Sequence, residues 1–385
     1  MIELSTHESM RDVGEAEWAA VAGPDVPPFL SYAFLRALED TGCAVPARGW
    51  QPCHLVFRKD GRAVAVAPAY VKGNSEGEFV FDQGFAQFAE GRLGIRYYPK
   101  LVVAAPFTPA TGPRLLVRAG ENVAELVAAF ARTLPELCRR LGVSGAHVLF
   151  PDEAQARILE TTGLAHRQGV QFHFKNDALG SFEDYLALFN SKRRNQIKRE
   201  VRAPAEQGLE LVTLSGRDLD PPLVDVVFEL YVSTVEKYFW GRQYLNRSFF
   251  EEIIRKIPDA VLVVLARHSA SRRPVAGAFN LLGKTALYGR YWGAREDHPF
   301  LHFNVCYYQG VRECIERRLS VFEPGAGGEH KLPRGFEPTA THSFHHFADR
   351  RLDAAARDFL GRERQAIHEH LEDYESHPVL KRTQG

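Results

Sequence analysis

The sequence predicts an α/β protein of the α+β kind, with two domains in tandem, each a mixed, largely antiparallel sheet flanked by helices. Three observations lead there. The chain has 385 residues, more than one ordinary domain holds, with 45% hydrophobic and 25% charged residues as in a globular protein. The two halves share one plan (helix, strand hairpin, strand, helix, strand) without a short-period repeat. The second half also contains three strand-like runs in succession, at 260–267, 275–282 and 285–292, the last two joined by a Gly283-Lys284 turn. The expected domains are 1–175 and 176–385, the second carrying a polar stretch at 322–347 and a C-terminal helix.

In chain order, residues 8–22 pattern as a short amphipathic helix. Ser31 opens a second helix, in which Phe34, Leu35 and Leu38 share a face and Gly42 is the stop. Residues 54–58 and 63–71 read as a hairpin about Lys59-Asp60-Gly61. Strands are expected at 79–81, 101–104 and 114–117. Residues 121–141 form a helix, because Leu126, Val127, Phe130, Leu134, Leu137 and Leu141 recur at helical spacing. A buried strand at 145–151, a helix at 152–162 and a strand at 170–174 complete the first half. Ser181 with Asp184 gives a capping-box signature for one helix running to 202. A strand at 209–214, helices at 221–239 and 249–256, the three strands, an amphipathic helix at 302–318, a strand at 321–322 and a charged helix at 352–373 follow.

Composition removes several function classes. Net charge is zero and the pI is near 7.3, so no overall field draws nucleic acid or an anionic membrane. A local patch remains in the helix after Ser181, where Lys192, Arg193, Arg194, Lys198, Arg199 and Arg202 make either a solvated basic face or a surface for a polyanion such as phosphate groups or tRNA. Five cysteines without a C-x-x-C give neither a disulfide framework nor a zinc motif. Cys306 and Cys314 pattern as small buried apolar residues. His342, His345 and His346 lack the H-E-x-x-H pattern, and no metal is expected. The acidic N-terminus has no apolar core and does not read as a signal peptide. No window approaches the ~18 apolar residues of a membrane span. The expected location is a reducing cytoplasm, with contact at a membrane surface left open.

The stretch FEPGAGGEHKLPRGFEPTATHSFHHF, residues 322–347, concentrates chemistry. Six glycines and prolines in its first fourteen residues exclude a long helix there. Glu323, Glu329, His330, Glu337, His342, His345 and His346 move or hold protons, and Lys331 and Arg334 add fixed charge. Phe336, Phe344 and Phe347 suggest a loop folded back onto a core, where sites concentrate.

The order of elements from about 209 to 325 is that of the GNAT acyltransferase fold. The blocks GEFVFD, YYPKL, PFTPATGPRLL, LYGRYWG, HFNVCYYQG and FEPGAGGEHKLPRGFEP together resemble the bacterial Fem-like family of N-acyltransferases, often labelled peptidoglycan biosynthesis proteins. The resemblance runs from about Phe29 to Leu360. It implies two tandem GNAT-like domains, and the basic helix after Ser181 is similar to the Fem pattern. Two departures stand out. The GNAT pyrophosphate loop, Arg/Gln-x-x-Gly-x-Gly/Ala, is replaced by GAREDHPFLHF, so backbone amides do not cradle a pyrophosphate in the usual way. Position 304 is Asn where the family pattern gives Glu, which weakens any general-base role for it.

N-acyl transfer needs a neutral amine, a polarised thioester or ester carbonyl and a protonated leaving group, and no covalent nucleophile. Glu329 and His330 are the first candidates for acid/base work. His302 begins a helix, whose positive end disfavours imidazolium, and Tyr308 is a candidate proton donor to the leaving group. Glu78 and Asp82 flank EFVFD and fall on one face of a strand with Val80 between them, where one carboxylate raises the pKa of the other. Lys72, Lys100 and Arg114 are candidates to line a phosphate- or carboxylate-binding groove between the domains. Arg290 and Trp292 alternate with Tyr288 on a meander strand that would hold an acyl chain or sugar, and Lys331 and Arg334 would clamp the donor. The leading expectation is an N-acyltransferase with no permanently bound cofactor, using acyl-CoA or acyl carrier protein as donor and a small-molecule or lipid amine or an amino sugar as acceptor. The alternatives are an aminoacyl-tRNA-dependent Fem-type transferase acting on a peptidoglycan precursor, and a non-catalytic binding module.

Overall fold

In the computed structural model, which describes residues 2–237, 242–376 and 380, the chain divides into two units. One is Met1–Val170 with Ala340–His370, the other Gln171–Thr339 with Leu371–Gly385. The strands are β1 (Ile2–His7), β2 (Trp50–Pro52), β3 (His54–Lys59), β4 (Arg62–Ala67), β5 (Ala69–Lys72), β6 (Lys100–Val103), β7 (Leu116–Val117), β8 (Gly145–Leu149), β9 (Ala165–Lys175), β10 (Leu209–Ser215), β11 (Val261–His268), β12 (Pro274–Leu282), β13 (Ala286–Ala294), β14 (Val321–Glu323) and β15 (Glu337–Phe347).

In the first unit β1-β3-β4-β7 form an antiparallel sheet. The expected β3–β4 hairpin turns at Asp60 and Gly61, both with positive φ (53° and 76°), as a primed turn requires. The run expected as one strand at 63–71 is two. Pro68 has no N–H for a ladder, and β4 and β5 belong to different sheets. The second sheet runs β2-β5-β6-β8-β15, antiparallel except for the parallel pair β6 and β8. Helix Val123–Leu141 starts at Asn122, whose side chain accepts from Glu125 N–H, and stops at left-handed Gly142. Its stripe of Leu126, Val127, Phe130, Leu134 and Leu137 packs on Leu55, Phe57, Val103 and Val148, each such side chain contributing roughly 1.5–3 kcal/mol.

In the second unit β10-β11-β12-β13 form an antiparallel meander, joined in parallel by β14 and then by the end of β9. Gly293 lets helix Pro221–Lys237 pack directly on β13, since a Cβ there would overlap the carbonyl of Leu230. That helix was expected to reach 239; residues 238–239 lie outside the described residues. The expected helix 302–318 runs Leu301–Phe303, a wider π turn at Asn304–Tyr308, then Gln309–Glu316.

Several expectations are corrected. Residues 79–81 are not a strand: Phe79 has φ of 59° and the chain turns there, so Glu78 and Asp82 do not sit on a strand face. The helix expected from Ser181 to 202 is two, Phe182–Ala187 and Ser191–Glu206, because Asn190 caps the second by accepting from Arg193 N–H. The last third of the 322–347 stretch is β15. Alternating Thr341, Ser343 and His345 conceal a strand whose Ser343–Phe347 segment pairs antiparallel with β8. The domain limits shift accordingly. Residues 340–370 join the first unit, and Gln171–Lys175, the end of β9, belong to the second, where Phe174 and Lys175 pair with β14.

Candidate functional site

In the second unit, β14 pairs with β13 only at Ala286–Tyr288. Beyond Tyr288 the ladder ends. β13 continues to Ala294 paired with β12, while the chain leaving β14 passes Pro324, still against Gly289, into the glycine-rich segment 325–328. His302, Tyr307 and His330 form one cluster of rings in this unit. Trp292, from the later part of β13, meets His302 edge-on with ring centres 4.9 Å apart. The His302 ring lies 5.2 Å from Tyr307 and 6.0 Å from His330. Tyr307 Oη and His330 Nε2 share a 2.8 Å hydrogen bond. Burial, then the neighbouring His330, Arg334 and Lys331, pushes His302 down to about 4. Partial burial with Lys331 and Arg334 also lowers His330, which is nonetheless exposed to solvent. Both imidazoles are therefore neutral at pH 7 and can accept a proton. Burial raises Tyr307, so its phenol keeps its proton.

A buried polar group stands behind them. The Glu200 carboxylate, 2% exposed, accepts from Tyr308 Oη (2.5 Å), Arg334 Nη2 (2.9 Å) and Gln196 Nε2 (3.0 Å). The Arg334 guanidinium lies 3.3 Å over the Phe303 ring and donates to the His330 carbonyl at 2.6 Å. The chain Glu200–Arg334–His330 thus fixes the backbone that carries His330. Asn304 is buried and donates to the carbonyls of Glu200 (2.8 Å) and Phe300 (2.9 Å). An ionised Glu could not make those bonds, so the residue is structural here.

The remaining expected residues of this unit divide. Glu329 is exposed, in the short helical turn Glu329–Arg334, and its carboxylate accepts from Tyr374 Oη at 3.2 Å. Lys331 is buried, and its ammonium donates to the carbonyls of Gly325 (2.7 Å) and Gly327, tying the glycine segment together rather than facing a donor. Burial lowers it to about 8. Tyr308 and Arg334 are engaged with Glu200, so neither is presented as a free donor or clamp. Arg290 is half-buried, 5.6 Å from the Tyr291 ring centre. Lys192, Lys198, Arg199 and Arg202 do form an exposed basic face on helix Ser191–Glu206. Arg194 instead donates to the carbonyls of Leu186 and Phe189, both at 3.0 Å.

The first unit holds its own cluster. Lys100 is fully buried, 2.7 Å from Glu78 Oε2 and bonded to Asp82 Oδ2 and Ser75 Oγ. Tyr97 Oη also donates to Asp82 at 2.6 Å. Burial raises Glu78 to about 7 against the pull of Lys100. Lys72, fully buried with its ammonium 3.7 Å over the Trp50 ring, is lowered to about 7 by burial. Next to this cluster His147 Nδ1 and His345 Nδ1 are 2.7 Å apart, both lowered by burial. Arg114 is corrected: it is fully buried and donates to the carbonyls of Leu149, Gly112 and Ala110, a structural role with no guanidinium left facing a groove. A cavity of about 470 Å³, lined by Phe81, Phe85, Phe88, Phe359 and Arg167, has Asp82 in its wall.

Sequence reasoning missed Glu200, Tyr307, Tyr97 and His147. Only Glu200 left a signal, as the one acid within the basic run 192–202, at helical spacing from Gln196 and Ile197.

Comparison with known proteins follows the geometry. The FemAB-like family, described by peptidoglycan biosynthesis and recognition, matches residues 9–382. No curated protein sequence matches the chain. Among solved structures, FemX aligns at 12% identity over 92% of this chain and 100% of its own, with a TM-score of 0.53. The C-terminal domain of an Agrobacterium fabrum protein classed with lysylphosphatidylglycerol synthetases aligns at 12% identity over 90% and 95%, TM-score 0.54. L-PGS from Bacillus licheniformis aligns at 8% identity over 85% and 94%, TM-score 0.51. At such identities these likenesses bear on the fold. The chain belongs to the FemAB-like family, and its fold is that of two GNAT-like units.

Proposed function

We propose that the protein is an N-acyltransferase that moves an acyl group from a thioester donor, acyl-CoA or acyl carrier protein, to a primary amine, with a lipid amine or an amino sugar as the acceptor class. The observation that carries this reading is the neutral, solvent-facing His330 imidazole, bonded to Tyr307 and anchored through Arg334 to Glu200. In the proposed reaction the exposed Glu329 carboxylate receives the acceptor ammonium, and the amine attacks after losing a proton to solvent. As the C–N bond forms, His330 takes the second amine proton. The C–S bond then breaks, and the thiolate leaves with the proton that His330 gives back. Cys306 and Cys314 play no covalent part, because burial pushes the Cys314 thiol up to about 12 and Cys306 higher still.

Donor recognition through phosphates has little support near the helix at Leu301. The segment entering it carries Glu296, whose carboxylate is held by Arg273, His298 and His268, so a pyrophosphate there would meet a carboxylate. This favours a donor held by its pantetheine arm or by a carrier protein. A second reading, aminoacyl-tRNA-dependent transfer to a peptidoglycan precursor, draws on the exposed Lys192, Lys198, Arg199 and Arg202. The deciding experiment offers acyl-CoA, acyl carrier protein and aminoacyl-tRNA separately to the purified protein with a panel of amines. The proposal expects amide product from a thioester, with His330→Gln lowering kcat and Glu329→Gln raising KM for the amine. Product from aminoacyl-tRNA alone would select the second reading, and no product from any donor would leave a binding module.

A further inference from the structure

We propose that His166, His342 and Glu160 form a site in the first unit for a divalent first-row transition metal. The three come from separate elements: Glu160 ends helix Glu153–Glu160, His166 lies at the start of β9, and His342 is on the returning strand β15. One ligand atom from each lies within 4.8 Å of the others. Nε2 of His166 and Nδ1 of His342 face each other at 3.0 Å. Their rings are tilted by only 25° with centres 5.2 Å apart, so they meet edge to edge. Two nitrogens bound at ~2.0–2.1 Å to one ion stand about 3 Å apart, so the separation already suits an ion and the rings need to rotate until their lone pairs converge on it.

The outer nitrogen of His342 supports the same reading, since His342 Nε2 is 3.2 Å from Glu153 Oε2. A carboxylate behind an imidazole keeps the proton on the outer nitrogen and leaves the lone pair facing inward, toward a metal. Glu160 Oε1, 3.4 Å from His166 Nδ1, reaches the ion by rotation of its exposed side chain. Without an ion the two rings share an N–H···N hydrogen bond, and the ion would take the place of that bridging proton. His342 is 8% exposed. Phe344 stacks on His166 at 4.6 Å and 7°, holding the ring in place.

A cavity of about 480 Å³ lined by Glu160, His166 and Arg364 opens this face to solvent, so water can complete the coordination. Arg357 is engaged with Asp353 and the Gly163 carbonyl, while Arg364 Nη1, 3.4 Å from His166 Nδ1, is the opposing charge. Imidazole with carboxylate selects zinc, cobalt or nickel over magnesium or calcium. The neighbouring histidines are not ligands here: His345 is paired with His147 and Ser343. The ion would fasten β15 to the corner between helix Glu153–Glu160 and β9.

The test uses the full chain, stripped with chelator and titrated with Co2+ and Zn2+. The expected result is a visible d–d band saturating with one equivalent of Co2+, displaced by Zn2+, and a melting temperature raised by Zn2+ but not by Mg2+. His166→Gln and His342→Gln should remove that equivalent, and Glu153→Gln should weaken binding roughly 10- to 100-fold. Glu160→Gln is exposed and should fold as the parent does, with an unchanged melting temperature in chelator and weaker Co2+ binding. No saturable band in the parent, or equal binding by parent and Glu160→Gln and His166→Gln variants, would overturn the site. So would an equal response to Mg2+.

Discussion

Replacing Lys100 with methionine isolates the charge at the centre of the first unit while keeping most of the side chain's apolar bulk. The Lys100 ammonium is the partner of Glu78 Oε2 and Asp82 Oδ2, and the second oxygens, Glu78 Oε1 and Asp82 Oδ1, are buried without a hydrogen bond. Methionine would leave two desolvated carboxylates facing each other. Removing one partner of a buried ion pair costs about 3–5 kcal/mol, a large part of a typical stability of ~5–15 kcal/mol. The sign with pH follows from the two acids. Burial already raises Glu78 to about 7 against the pull of Lys100. Burial also raises Asp82, but Lys100 and the hydrogen bonds from Lys100, Ser75 and Tyr97 hold it low. Without Lys100 both folded-state values climb while the unfolded ones stay near ~4. The unfolded chain then releases its protons first, so the variant loses stability as pH rises through that window and recovers it as pH falls. Urea unfolding at about pH 5 and about pH 8 measures both quantities. The expected result is a midpoint deficit that is large at the higher pH and shrinks at the lower, with Asp82→Asn in the same chain restoring part of it. A deficit below ~1 kcal/mol, the size of an exposed pair, or one equal at both pH values, would refute the ion-cluster account.

Three further outcomes test the second unit. The acid limb of the kcat profile should fall below the ordinary imidazole value of 6.5, because burial, Lys331 and Arg334 lower His330; a limb at or above that value would remove His330 as the proton acceptor. His330→Gln should cost about 10²–10⁴ in kcat, read in single-turnover assays. Glu200→Gln should destabilise by about 3–5 kcal/mol in chemical denaturation, because the buried Arg334 loses its counter-ion, and should lower kcat by releasing the His330 backbone. Acyl-pantetheine should serve nearly as well as acyl-CoA in steady-state kinetics, as the proposed donor held by its pantetheine arm requires; a KM lost with the nucleotide would show that the phosphates are gripped.

The meander and the long helix were legible because their periods are long and uninterrupted: Val123–Leu141 repeats at helical spacing, and β11 to β13 are three long runs. Motif density located the Glu329–Arg334 segment, but side-chain direction was beyond sequence spacing. Lys331 reads as a ligand-facing cation and instead binds its own loop's carbonyls. Glu78 and Asp82 are four residues apart, which alternation places on a strand face; a positive φ at Phe79 folds them onto Lys100 instead. Glu200 escaped because its partners, Tyr308 and Arg334, are more than a hundred residues away in sequence. β15 escaped because a strand of Thr, His and Ser carries none of the apolar alternation that marks a half-buried edge, and its burial depends on partners supplied by the first unit.

The crossing of β9 and β15 between units has a consequence for synthesis. During translation the first unit emerges with β8 lacking the neighbour that Ser343–Phe347 will provide, and its helix Arg350–Ser376 follows later still. Residues 1–170 are therefore an unfinished sheet with an open edge for as long as the whole second unit takes to be made, an aggregation hazard of the kind exposed edges carry. Cutting the gene near residue 170 would yield two incomplete pieces rather than two proteins, and folding of the first unit becomes in effect a check that the ribosome has read through the second.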